Sequence, residues 1–129
     1  MIKVLVIDDE RPICNFLANF FKERGHEVFI VTDPTTAMAV VESENPQVII
    51  TDIKMPQMSG LTLLEMIRKS NKTSKIIMVT IMDDAETQNR AKELGADAFI
   101  SKPFNTEYLE EVVMAKIEEM YPINKRGAR

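Results

Sequence analysis

Four short apolar runs of this chain each end on a residue type that handles phosphate or metal. Asp8 and Asp9 follow residues 2 to 7, Asp52 closes Val48-Ile49-Ile50-Thr51, Thr80 follows Ile76 to Val79, and Lys102 comes two residues after Ala98 to Ile100. Short, β-branched runs of this kind read as strands buried on both faces, and the carboxyl ends of such strands are where open α/β sheets bind ligands. Three carboxylates gathered there would repel and raise one another's pKa unless a cation offset them, and an all-oxygen donor set suits Mg²⁺, or Mn²⁺ in its place. Asp52 is then placed to attack phosphorus and form an aspartyl phosphate, with the metal, the Lys102 ammonium and the Thr80 hydroxyl holding the phosphoryl oxygens. Taken singly, each residue has an ordinary explanation: Asp8-Asp9 as acids before a helix, Asp52 as a turn residue, Thr80 as a strand-end hydroxyl, Lys102 as a solvated loop lysine. The chemistry rests on their conjunction at four separate strand ends.

The segments that must position these residues alternate strand and helix five times. After the first strand, Pro12 suits the first turn of a helix, and Ile13, Phe16, Leu17, Phe20 and Phe21 recur as an amphipathic stripe that Gly25 can close. A strand over about Val28 to Val31 leads to Asp33-Pro34, a cap and first-turn pair for a helix through about Ser43, which Asn45-Pro46 breaks. After Asp52, the Pro and the Ser-Gly pair within 53–60 turn the chain into a helix from about Gly60 to Lys69. The fourth helix starts at Asp83, whose spacing to Glu86 suits capping, and stops at Gly95. It offers the core only Ala85, Ala91 and Leu94, so it should be the most weakly packed and the most mobile. The last helix presents Leu109, Val112, Val113, Ile117 and Met120, and Tyr121-Pro122 ends it. This alternation predicts an α/β fold, a parallel sheet with helices on both faces.

Composition narrows the function classes. The 129 residues are 45% hydrophobic and 28% charged, values of one globular domain, and no apolar run approaches a membrane span. The apolar stretch after Met1 is too short for a signal peptide, so a cytoplasmic chain is expected, and Cys14 and His26, single of their kind, offer neither a disulfide nor a zinc site. All 20 acids and 13 of the 16 bases precede Pro122, leaving residues 1–121 at −7 and the tail, with Lys125, Arg126 and Arg129, at +3. An acidic body argues against direct nucleic-acid contact.

The acid pair after VLVI, Asp52 followed by Met55-Pro56 and then Gly60, Thr80 after IIMV, and Lys102-Pro103-Phe104 resemble the receiver domains of bacterial two-component response regulators. The resemblance covers residues 2 to about 121, with 122–129 a short basic tail or the start of a linker. It implies a flavodoxin-like (βα)5 fold, a doubly wound sandwich with strand order 2-1-3-4-5. It implies that Asp52 takes a phosphoryl group from a sensor histidine kinase or a histidine phosphotransferase, and that Asp8, Asp9, Asp52 and the Lys54 carbonyl ligate Mg²⁺, Asp8 directly or through water. It also implies a cis Lys102-Pro103 bond and a switch, made of Thr80 and Phe99, that remodels the surface of helix 4, strand 5 and helix 5. A receiver of this kind is a signalling domain that promotes its own phosphorylation and dephosphorylation, with an effector domain or downstream protein as output and a phosphorylation-dependent homodimer as a further option.

Three positions depart from the family pattern. Ile81 stands where a small residue is usual and would crowd the approach of the phosphoryl group, while Lys54 and Met82 occupy the two positions that bias phosphoryl lifetime, and neither is a common choice for orienting an attacking water. The competing reading is a flavodoxin-like small-ligand binder without phosphorylation. Its handicap is the missing Gly-rich or Ser/Thr-rich phosphate loop after the first strand, where two acids would repel a ligand phosphate.

Overall fold

The structure, a computed structural model of the chain, describes residues 1–70, 73–81 and 85–121. Met82, Asp83 and the tail from Pro122, on which parts of the sequence reading rest, lie outside the described residues. Five strands, β1 (Lys3–Ile7), β2 (Glu27–Val31), β3 (Val48–Asp52), β4 (Lys75–Thr80) and β5 (Ala98–Ser101), form one parallel sheet in the order β2-β1-β3-β4-β5. Helices α1 (Arg11–Lys22), α2 (Ala37–Glu44), α3 (Gly60–Ser70) and α4 (Ala85–Leu94) connect them. A fifth helix, α5, follows β5 as Thr106–Tyr108, a π-helical stretch Leu109–Val113, and Met114–Met120. None of the described helices is long and apolar enough to cross a membrane.

Alternation along the strands divides the core into two layers. Val4, Val6, Val48, Ile50, Ile77 and Val79 pack under α1 and α5, whereas Leu5, Ile7, Ile49, Ile76 and Met78 pack under α2, α3 and α4. The central strand β3 is buried at every position, as a run of β-branched residues covered on both faces must be. Because β1 hands the chain to α1 on one face and β3 hands it to α3 on the other, a crevice opens between their carboxyl ends.

Local chemistry explains where the sequence periodicity misleads. In α1 the buried stripe is Cys14, Leu17, Ala18, Phe20 and Phe21, while Phe16 is 38% exposed and stacks on Phe104 at a centroid distance of 6.0 Å. With Cys14, Leu17, Ala18, Phe20 and Phe21 turned inward, Phe16 is left at the rim. Asp33 caps as expected, accepting from the Thr35 amide at 3.0 Å, yet the segment begins as a 3₁₀ turn, Pro34–Thr36. There the Thr35 and Thr36 hydroxyls donate to the Asp33 carboxylate and carbonyl, which holds the tighter turn. In α4 only Ala91 is buried; Leu94 is half-buried and Ala85 is exposed, since it opens the helix two residues before Thr87, at the mouth of the crevice. In α5 the π stretch, in which the Met114 N–H donates to the Leu109 carbonyl, spaces the buried residues Leu109, Val113 and Ile117 four apart and leaves Val112 only half-buried.

Candidate functional site

Register places the carboxylates. Ile7 pairs with Thr51, so the next residues, Asp8 and Asp52, lie side by side at the ends of β1 and β3. Their side chains are fixed by the backbone that follows them: Asp8 Oδ1 accepts from the Glu10 amide at 2.9 Å, and Asp52 Oδ1 accepts from the Ile53 amide at 2.8 Å. Carboxylate oxygens of Asp8, Asp9 and Asp52 lie within 4.8 Å of one another, with Asp9 the most open of the three. The loop after β5 returns Lys102 over them. Its amide donates to the Thr80 carbonyl at 2.9 Å, the Lys102-Pro103 bond is cis, and its Nζ stands 3.1 Å from both Asp8 Oδ2 and Asp52 Oδ2.

Burial sets the electrostatics. Asp8 is 2% exposed and Asp52 7%, and desolvation raises both carboxyls above the ordinary carboxylate value, against the lowering effect of Lys102 and of the amides that donate to them. The Asp8 charge raises Asp52 further. At Lys102 desolvation acts to lower the pKa, but the hydrogen bonds and charges of Asp8 and Asp52 outweigh it and the ammonium is stabilised. Cys14 is spent structurally: its Sγ donates to the Asp8 carbonyl at 3.2 Å, and burial first, then the Asp8 charge, push its thiol up to about 11. His26 is also structural, its Nδ1 accepting from the Ile2 amide.

The cleft over these groups has a volume of about 240 Å³ and is also lined by Lys54, Thr80 and Ile81. Thus Asp9, Asp52, Lys54, Thr80 and Lys102 share one cavity, and Asp8 is tied to it through Lys102. Phe99 does not reach the cleft. It pairs with Met78, two residues before Thr80 on the same face of the sheet, and packs half-buried against the core layer under α2, α3 and α4. Glu10, Ile53 and Thr87 line the cleft and escape a reading of strand ends, Ile53 as the residue whose amide holds Asp52. Glu10 stands 3.5 Å from the Lys102 ammonium, and Thr87 of α4 closes the far rim. The third acid after β1 is a signal for Glu10, whereas Thr87 depends on where α4 lies and no spacing announces it. Ile81 is 67% exposed at the mouth and forms a wall shared with an apolar groove made by Ile13, Phe16, Pro103 and Phe104.

Comparison with known proteins agrees with the fold. The response regulator receiver domain family matches residues 4–114. The chemotaxis response regulator CheY4 of Vibrio cholerae is 30% identical, with a TM-score of 0.84 over 90% of this chain and 98% of that one. A CheY-like receiver domain protein from Methanospirillum hungatei is 32% identical, with a TM-score of 0.85 over 93% and 96%. NtrX from Brucella abortus is 30% identical at a TM-score of 0.84 over 92% of this chain, which matches only 27% of that longer protein.

Proposed function

The chain belongs to the response regulator receiver domain family, and from that membership we propose that Asp52 is its phosphoacceptor, charged by the phosphohistidine of a sensor histidine kinase or a histidine phosphotransferase. The observation that carries the reading is the Lys102 ammonium shared at 3.1 Å between Asp8 and Asp52, over a carboxylate whose other oxygen the Ile53 amide holds. A carboxylate oxygen of Asp52 attacks phosphorus, the bond from phosphorus to the donor nitrogen breaks, and the electron pair leaves with the imidazole. Lys102 follows the charge that moves onto the phosphoryl oxygens, and the Thr80 hydroxyl, on the wall of the cleft, donates to one of them.

The hard, converging oxygens of Asp8, Asp9 and Asp52 fit Mg²⁺ or Mn²⁺, with the Lys54 carbonyl as a further ligand from the cleft wall. Bound there, the metal supplies positive charge that offsets the carboxylates and the incoming phosphoryl group. In this reading the protein is a signalling switch whose output passes through the surface of α4, β5 and α5 to an effector domain, a downstream protein or a second copy of itself. The test is intact mass after incubation with Mg²⁺ and acetyl phosphate. Wild type should gain one phosphoryl group and Asp52→Asn none; a gain in both, or in neither, removes Asp52 from the role. Mg²⁺ should also raise the melting temperature, less so in Asp9→Ala, and equal shifts would exclude Asp9 as a ligand.

A further inference from the structure

We propose that Gly60 is a positioning residue for the phosphoacceptor, a role that rests on the reading of Asp52 given above. Gly60 opens α3 and is buried, and a Cβ built on it would lie 2.1 Å from the Asp52 carbonyl oxygen, 2.9 Å from Ile53 Cα and 3.0 Å from the Asp52 carbonyl carbon. All three are backbone atoms of the one peptide that joins Asp52 to Ile53, so no side chain can rotate to make room. The absence of a Cβ therefore lets the start of α3 rest directly on that peptide, where the Gly60 amide donates to the Ile53 carbonyl at 2.7 Å.

The peptide so covered is the one that orients the nucleophile. Its N–H is shared between the Val79 carbonyl of β4 at 3.2 Å and Asp52 Oδ1 at 2.8 Å, and its oxygen accepts from the Thr51 hydroxyl at 3.0 Å. With α3 against one side and β4 on the other, the peptide has one available tilt, and that tilt ties down Oδ1 while Oδ2 meets Lys102. A methyl group at position 60 must displace this backbone by roughly an ångström, a misplacement that costs about 10²-fold in rate at a reacting centre. Gly95 provides the contrast. It too is intolerant of a side chain, with φ of 109° and a Cβ position 2.8 Å from Arg68 Nε, but its conflict is with a flexible side chain at the far end of α4.

The experiment compares wild type, Gly60→Ala and Gly95→Ala in phosphorylation by acetyl phosphate with Mg²⁺, rates being divided by the folded fraction from circular dichroism at low temperature in sucrose. Gly60→Ala should lower the limiting rate about 100-fold while leaving the half-saturating acetyl phosphate concentration within about twofold. Gly95→Ala should lose melting temperature yet keep the wild-type limiting rate. Equal limiting rates per folded molecule in the two variants would overturn the proposal, as would a Gly60→Ala chain with no folded fraction, since the glycine would then serve the fold alone. If wild type itself takes no phosphoryl group, it is the reading of Asp52 that fails.

Discussion

Helices α3 and α4 cover the same face of the sheet, one after the other, but they are held very differently. α3 buries Gly60, Leu63, Leu64 and Ile67 and sits against the peptide that joins Asp52 to Ile53. α4 buries only Ala91. At its far end the Gly95 carbonyl accepts from Arg68 at 3.0 Å, and Arg68 also reaches the Ser74 carbonyl and Asp97. Of the two helices flanking the cleft, α3 is thus the more tightly packed and α4 the more thinly packed, and since elements with few buried contacts open at the lowest free energy, the function proposed above assigns the fixed role to α3 and the moving role to α4.

The largest expected effect is on stability. Leu64→Ala, at a fully buried position of α3, should cost about 2–5 kcal/mol in chemical denaturation, whereas Ala91→Gly in α4 should cost about 1–2 kcal/mol. Similar costs at the two sites would break the contrast. Next comes the charge held at the carboxyl ends of β1 and β3. Asp8 and Asp52 have raised pKa values in the fold, so the native state keeps protons that the unfolded chain releases just above 3.8, and metal-free stability falls as pH rises through that window. Asp8→Asn should therefore melt a few degrees above wild type at neutral pH without metal and lose much of the Mg²⁺-induced gain; a lower metal-free melting temperature would mean that Lys102 more than offsets the buried acids. The smallest effect on stability is expected on the α4 side of the cleft. Ile81→Ala, 67% exposed, should change stability by under about 0.5 kcal/mol yet speed phosphorylation by acetyl phosphate, and an unchanged rate would show that the isoleucine does not restrict the mouth.

Particular residues show how far sequence reasoning reaches. The strand-helix alternation, the carboxyl-edge placement of Asp8, Asp52, Thr80 and Lys102, and the weakness of α4 follow from period and from residue type at strand ends, which are local properties. Phe16 misleads because period defines an apolar stripe without fixing its centre, and small inward residues such as Cys14 and Ala18 do not announce themselves in that stripe. Val112 misleads because the π stretch shifts the spacing of the inward positions. Gly60 reads as a turn residue, a helix start and a member of the family motif, but its approach to backbone eight residues earlier in the chain is a distance that no spacing rule expresses.

The division of labour between α3 and α4 is tested most directly by amide hydrogen exchange with and without beryllofluoride and Mg²⁺, the fluoride complex standing in for the phosphoryl group. Exchange should change chiefly across residues 80–105, which hold Thr80, α4 and Phe99, while α3 stays as protected as before. Thr80→Ala should blunt the change and leave Asp52 reactive toward acetyl phosphate. Changes confined to the neighbourhood of Asp8 and Asp52, or carried into α3, would contradict the account and remove Thr80 and Phe99 from the switch.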